Sequence, residues 1–277
     1  MTDISTILNS GGTVLAAYGA KKLYDDFASP SIKAAGLLGA KIFRAITISV
    51  DVWADKRIDK LTALQNDIVN NLKDFDKEDI VEIAPDYIVA PAINAYMHSM
   101  SSNELRSMYA NLISKSLLKD QLPSIHPSMT FIIQNLAPID CVLLNYLALN
   151  NHSIPLMETH WETDNQNGYI KSLNHLFLQP TAIDTDSNND ESIVIKKASQ
   201  LQLGLPSTID NLMRLGLLEV SYIEYFSNEE LYKPIKVLPV YIEDEQKCLQ
   251  AKRIFTPTPG IAKLTSLGKD FIDICID

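Results

Sequence analysis

The sequence predicts a mainly α chain, an N-terminal helical bundle over residues 1–136 followed by a winged-helix-like α+β domain over 137–277 with insertions at about 151–191 and 226–253. Three observations predict it. Apolar residues recur at three- and four-residue steps through most of the first half. The stretch LPSTIDNLMRLGLLEV, Leu205 to Val220, reads as a helix stopped by a glycine and run into a strand. Finally, IFTPTPGIAKLT and SLGKDFIDICI near the end read as a return strand and a closing helix.

With 277 residues, 46% of them hydrophobic and 21% charged, the chain can bury two cores and lacks the composition of disorder. Cys141, Cys248 and Cys275 are odd in number and without C-x-x-C spacing, which predicts neither a disulfide framework nor a thiolate zinc site. The N-terminus has an acid where a signal peptide carries bases. The uncharged run Ile4 to Ala20 is interrupted by polar residues and falls short of the roughly 20 apolar residues of a membrane span. A cytoplasmic location is the expectation.

Charge is unevenly spread. Residues 1–136 hold 13 bases against 15 acids, and residues 137–277 hold 11 against 19. Phosphate backbones are bound largely through Lys and Arg that release counterions, so the second half starts as a poor nucleic-acid binder.

Element by element, Ser31 to Trp53 places Ile32, Ala35, Gly39, Ile42, Ile46, Val50 and Trp53 on one stripe, predicting a long amphipathic helix that continues toward Leu72. A shorter helix comes next around Tyr87 to Met100. In SSNELRSMYANLISKSLL, Ser101 and Glu104 fit a capping box and Leu105, Met108, Tyr109, Leu112, Ile113 and Leu117 form a buried stripe. Pro127 and Pro138 sit at the starts of two short helices separated near Leu136. TDNQNG at 163–168 and TDSNNDES at 185–192 mark polar loops. A helix is expected over about Ile193 to Leu203. The next helix turns Ile209, Leu212, Met213 and Leu205 inward and Thr208, Asp210, Asn211 and Arg214 outward, capped by Ser207 with Asp210 and stopped at Gly216.

Five segments, KLYDDFASPSIKAAG at 22–36, NELRSMYANLISKSL at 103–117, HPSMTFIIQNLAPIDCVLLNYL at 126–147, NLMRLGLL at 211–218 and LTSLGKDFI at 264–272, resemble in this order the abortive infection alpha family of bacterial phage-defence proteins. The resemblance implies a role in antiviral defence in which an infected cell stops growing or dies before phage release. It implies no catalytic residue. Arg106, Asn111, His126, Pro127, Arg214, Gly216 and Gly268 are family-motif positions of unknown role. The long acidic insertions depart from the family pattern.

The residues themselves offer little chemistry. His126 is a candidate base or ligand, but the structural reading is a ring that fixes the turn before a helix. His152, Glu158, His160 and His175 are candidate metal ligands without H-E-x-x-H spacing. Cys141 lies on an apolar stripe with Leu144 and Leu147, and no G-x-S-x-G elbow is present. Gly11 and Gly12 lack the spacing of a phosphate loop. Glu243, Asp244 and Glu245, like Asp184, Asp186 and Asp190, read as solvated faces. No catalytic residue, cofactor or metal is assigned. Lys196, Lys197, Lys252, Arg253 and Lys263 make at most a thin basic patch, and only one outward base, Arg214, stands on the would-be reading helix.

The expected function is therefore a non-enzymatic antiphage protein acting through protein contacts. The expected partner is a protein, a second copy or a phage component. The alternatives are a nucleic-acid-binding winged-helix regulator, disfavoured by charge, and a membrane-active effector using Lys33, Lys41 and Arg44 beside the apolar stripe of 31–53.

Overall fold

A computed structural model describes residues 55–76, 78–99, 102–162, 168–187, 194–198 and 200–276. The predicted helix at 31–53 lies outside them. The chain divides into two compact units, one comprising residues up to Asn135 together with Ile274 onward, the other Leu136–Asp273.

In the first unit, helices α1 (Asp55–Leu72), α2 (Asp86–Tyr96), α3 (Asn103–Ser116) and α4 (Ser128–Gln134) bury the stripes their periodicity dictates. Leu64 and Ile68 of α1, Ile88 and Ile93 of α2, and Tyr109, Leu112 and Ile113 of α3 are essentially inaccessible. The ring of Tyr96 meets that of Tyr109 edge-on at 5.9 Å. The α3 cap is Ser102 rather than Ser101. Its Oγ accepts from the Leu105 N–H at 3.2 Å and donates to Glu104 Oε2 at 2.7 Å.

In the second unit, α5 (Pro138–Leu149) leads into a four-stranded antiparallel sheet of order β2-β1-β8-β7, built from β1 (Ser153–Glu162), β2 (Tyr169–Leu176), β7 (Leu218–Ser221) and β8 (Ile254–Leu264). Two small ribbons, β3 (Leu178–Pro180) with β6 (Leu201–Leu203) and β4 (Ile183–Ser187) with β5 (Val194–Ala198), stand apart from that sheet. Helices α6 (Pro206–Arg214), α7 (Lys233–Lys236), α8 (Pro239–Gln250) and α9 (Ser266–Cys275), whose last two residues fall in the first unit, complete the order.

This architecture corrects the predicted fold class. Helices are described only from Asp55 on, so the structure does not show an N-terminal bundle, and the second unit is a curled antiparallel sheet with helices rather than a winged helix. The segment 151–191, expected as an insertion, supplies β1 and β2, half of the central sheet. The segment 226–253, also expected as an insertion, supplies α7 and α8. The helix expected over 193–203, which a helix-turn-helix would need, is replaced by β5 and β6. Residues 194–198 pair with β4, and cross-strand pairing overrides the helical period read there.

Helix α6 also turns differently from its prediction. Ile209 and Leu212 are buried, but so is Thr208, while Met213 and Leu205 are exposed. Leu205 is the N-cap, and no side chain, Ser207 included, caps the helix. The predicted stop does form. Gly216 lies at φ 74°, with Gly216 N–H donating to Met213 O and Leu217 N–H to Leu212 O, the two bonds of a Schellman motif.

Candidate functional site

Strand β1 is an inner strand of the four-stranded sheet, flanked by β2 and β8. It pairs with β8 without interruption from Ser153↔Lys263 to Glu162↔Ile254, so its side chains alternate strictly between two faces. Leu156 to His160 are buried in succession, which means both faces are covered. Pairing with β2 slips twice, between Met157 and Thr159 and again between Thr159 and His160. Both extra residues fall in β2. Bulges re-aim side chains, and His175, in β2, takes a left-handed φ of 49° uncommon for a non-glycine residue.

One face of β1 presents Glu158 and His160. Lys171, opposite His160 in the register, contacts Glu158 Oε2 directly, and its side chain is 43% exposed while that of Glu158 is 8% exposed. His160 Nε2 lies 3.3 Å from Glu158 Oε1 but is not aligned for a hydrogen bond, leaving a buried ring nitrogen unsatisfied. Its other nitrogen sits 3.4 Å from Thr258 Oγ1, and the Tyr169 ring packs edge-on at 4.5 Å.

The same assembly continues through Lys171, whose ammonium lies 5.5 Å from the centre of the Tyr222 ring. Tyr222 Oη is 2.9 Å from His175 Nδ1, and His175 Nε2 is 3.4 Å from Asp210 Oδ1 on α6. An Nε2–H tautomer fits both contacts, donating toward Asp210 and accepting from the tyrosine. Burial lowers the pKa of His175, with Asp210 partly opposing it, and burial raises the Tyr222 hydroxyl well above the tyrosine range.

The opposite face presents Thr159 and Trp161 to Asp244 of α8, a carboxylate only 5% exposed. Thr159 Oγ1 donates to Asp244 Oδ2 at 2.6 Å, Trp161 Nε1 to Oδ1 at 3.2 Å, and Ser172 Oγ also to Oδ1. Thr159 Oγ1 in turn accepts from the Leu173 N–H at 3.1 Å, so the group closes on itself. The acidic run 243–245 predicts a solvated face, and at Asp244 burial with three donors corrects that.

Of the four residues read as candidate metal ligands, Glu158, His160 and His175 join one polar assembly and His152 does not. Among the described residues no three His, Cys, Asp or Glu side chains are arranged to hold a metal ion. Sequence reasoning misses Lys171 and Tyr222; it places Asp210 outward, where its side chain is indeed 64% exposed, but does not foresee its contact with His175. The alternation Glu158, His160 and Glu162 in ETHWE is the available signal, and the polar loop signs around it hide a strand.

The family-motif positions fall elsewhere. Arg106 Nε donates to Asp67 Oδ2 at 2.8 Å, and Asn111 receives from Asn71 and donates to Cys275 O at 3.1 Å. His126 Nδ1 accepts from the Ser128 N–H at 3.1 Å and sits 2.7 Å from its hydroxyl, fixing the turn that Pro127 leads into α4. Gly216 and Gly268 are brought together through Thr265, whose hydroxyl donates to Gly216 O at 2.6 Å and accepts from Gly268 N–H at 2.9 Å. A Cβ on Gly268 would stand 2.1 Å from Leu217 O, so the close approach of α9 requires glycine. Arg214 donates to Asn211, and Asn211 donates to Asp140 Oδ2 at 2.7 Å.

No single helix among the described residues is long and apolar enough to cross a membrane. No curated protein and no solved structure matches the chain. A family model described as abortive infection alpha matches residues 56–275, nearly the whole described length. The chain belongs to the abortive infection alpha family.

Proposed function

We propose that the protein carries out the abortive-infection role suggested by its family without catalysis, through contact with a protein partner. The observation that carries this reading is the internal commitment of its polar groups. On α6, Asp210 reaches His175, Asn211 donates to Asp140, and Arg214 donates to Asn211, so each of these three polar side chains makes a contact within its own unit. A groove-reading helix keeps several donors free for phosphates and bases. Lys263, a member of the thin basic patch, is likewise taken by Glu219 at 3.3 Å and Glu224 at 2.7 Å. The thiols of Cys248 and Cys275 are buried, which raises their pKa and makes them poor nucleophiles.

The test is phage challenge of cells expressing the chain, with plating efficiency and survival of infected cells as readouts. Glu158→Gln, His160→Gln and His175→Gln should protect as the parent does wherever their circular dichroism and melting match it. Loss of protection by a variant that folds normally would assign chemistry to that side chain and overturn the non-catalytic reading.

A further inference from the structure

Strand β7 covers β8 only over Ile261–Leu264, so among the described residues no strand lies beside Ile254–Gly260 on that side. The segment after β7 folds into this gap. Its Tyr225, Phe226 and Tyr232, with Met157 of β1, line a cavity of about 130 Å³ against β8. That is near the roughly 150 Å³ known to accept a benzene ring, so the space suits one ring-sized group. The walls are fixed, since Tyr232 Oη donates to Gly260 O at 3.0 Å and accepts from the Phe226 N–H at 2.9 Å. Tyr225 is 60% exposed at the mouth.

Two features restrict what can lie there. Pro257 and Pro259, on the β8 side of the cavity, lack the N–H groups a ladder needs, so an added strand could not pair fully along this edge. A polyproline II segment needs no ladder, and its pyrrolidine rings dock in aromatic-lined grooves. Charge supplies the second restriction. Glu230 is held by Lys233 at 2.6 Å, whereas Glu229, which lines the cavity, has no ion-pair partner among the described residues. Lys236 on the same lining is unpaired among them too, and it favours a single base on the ligand over a basic run.

We infer that this groove binds a proline-containing segment of a protein partner, with a pyrrolidine ring in the cavity and one flanking basic residue against Glu229. The inference rests on the partner-contact reading of the function and names the chemistry of the contact.

Fluorescence polarisation of the full chain with labelled synthetic peptides tests it. One peptide carries an Arg-Pro-Ala-Ala-Pro core, a second has both prolines replaced by alanine, and a third has the arginine replaced by glutamate. The first should bind at least tenfold tighter than the other two. Glu229→Lys should reverse the preference between the first and third, and Tyr225→Ala should weaken the first about tenfold or more while melting as the parent does. Equal binding of all three peptides, or no binding to folded protein at millimolar peptide, overturns the groove assignment. Phage protection that survives in the Gln variants of Glu158, His160 and His175 leaves the partner-contact reading standing in that case. Loss of protection in those variants with the fold intact removes the partner-contact reading instead.

Discussion

The two faces of β1 handle buried charge in opposite ways. Toward α8, the Asp244 carboxylate meets neutral donors only, three of them, from β1 and β2. Toward α6, Glu158 meets a lysine and an imidazole, and the assembly contains an unsatisfied nitrogen and a left-handed residue. A buried anion satisfied by fixed hydroxyl and indole dipoles is a closed structural unit, because no mobile charge is needed to hold it. The mixed assembly reaches solvent through Lys171, whose side chain is 43% exposed. Of the two polar groups, the second is the one that holds the unsatisfied ring nitrogen and the left-handed His175.

Substitutions on the two faces should therefore differ in cost. Asp244→Ala should be the most damaging, since it strands three donors in a buried space. We expect about 3–5 kcal/mol from urea unfolding, a cost in line with removing one member of a buried charged network. Gly260→Ala should come next, because its Cβ would lie 2.6 Å from Ser221 O and 2.7 Å from the Tyr222 ring. A loss of about 1–3 kcal/mol is expected for such overpacking, together with a shift of the His175 ring resonances as Tyr222 is displaced.

Glu158→Gln should cost less, about 1 kcal/mol by the same unfolding assay, because Lys171 is close to half exposed and can turn to water. If it costs more than Asp244→Ala, the contrast between the faces is wrong.

The smallest effect is the pH dependence of His175. Burial holds its folded pKa below the ordinary histidine value of 6.5, so the unfolded chain takes up the proton more readily. The stability it contributes is whole above pH 6.5 and erodes as the pH falls through that value toward the folded pKa. His175→Gln should flatten the melting-temperature profile across this window, and an unchanged slope would show that His175 titrates as it does in the unfolded chain.

Much of the helical half is legible because its signals are local. Caps, prolines and three- or four-residue spacing place α2 to α5 to within a few residues, and Gly216 announces the end of α6 with the conformation it adopts. The sheet is far less legible. Loop signs at 163–168 outweigh the alternation in β1 and β2, so half of the sheet reads as an insertion. A helical period is likewise readable where β5 and β6 pair with β4 and β3.

Local chemistry by itself settled the Gly216 stop and the buried stripe of α3, though not the capping residues, and the order of motifs indicated the family to which the chain belongs. Strand pairing and packing were needed to make Asp244 an internal acceptor, to join Glu158, His160, Lys171, His175, Asp210 and Tyr222 in one assembly, and to require glycine at Gly268. The physical reason is range. A cap is satisfied within one helical turn, whereas Thr159 and Asp244 stand 85 residues apart and meet only once strand pairing has chosen a register.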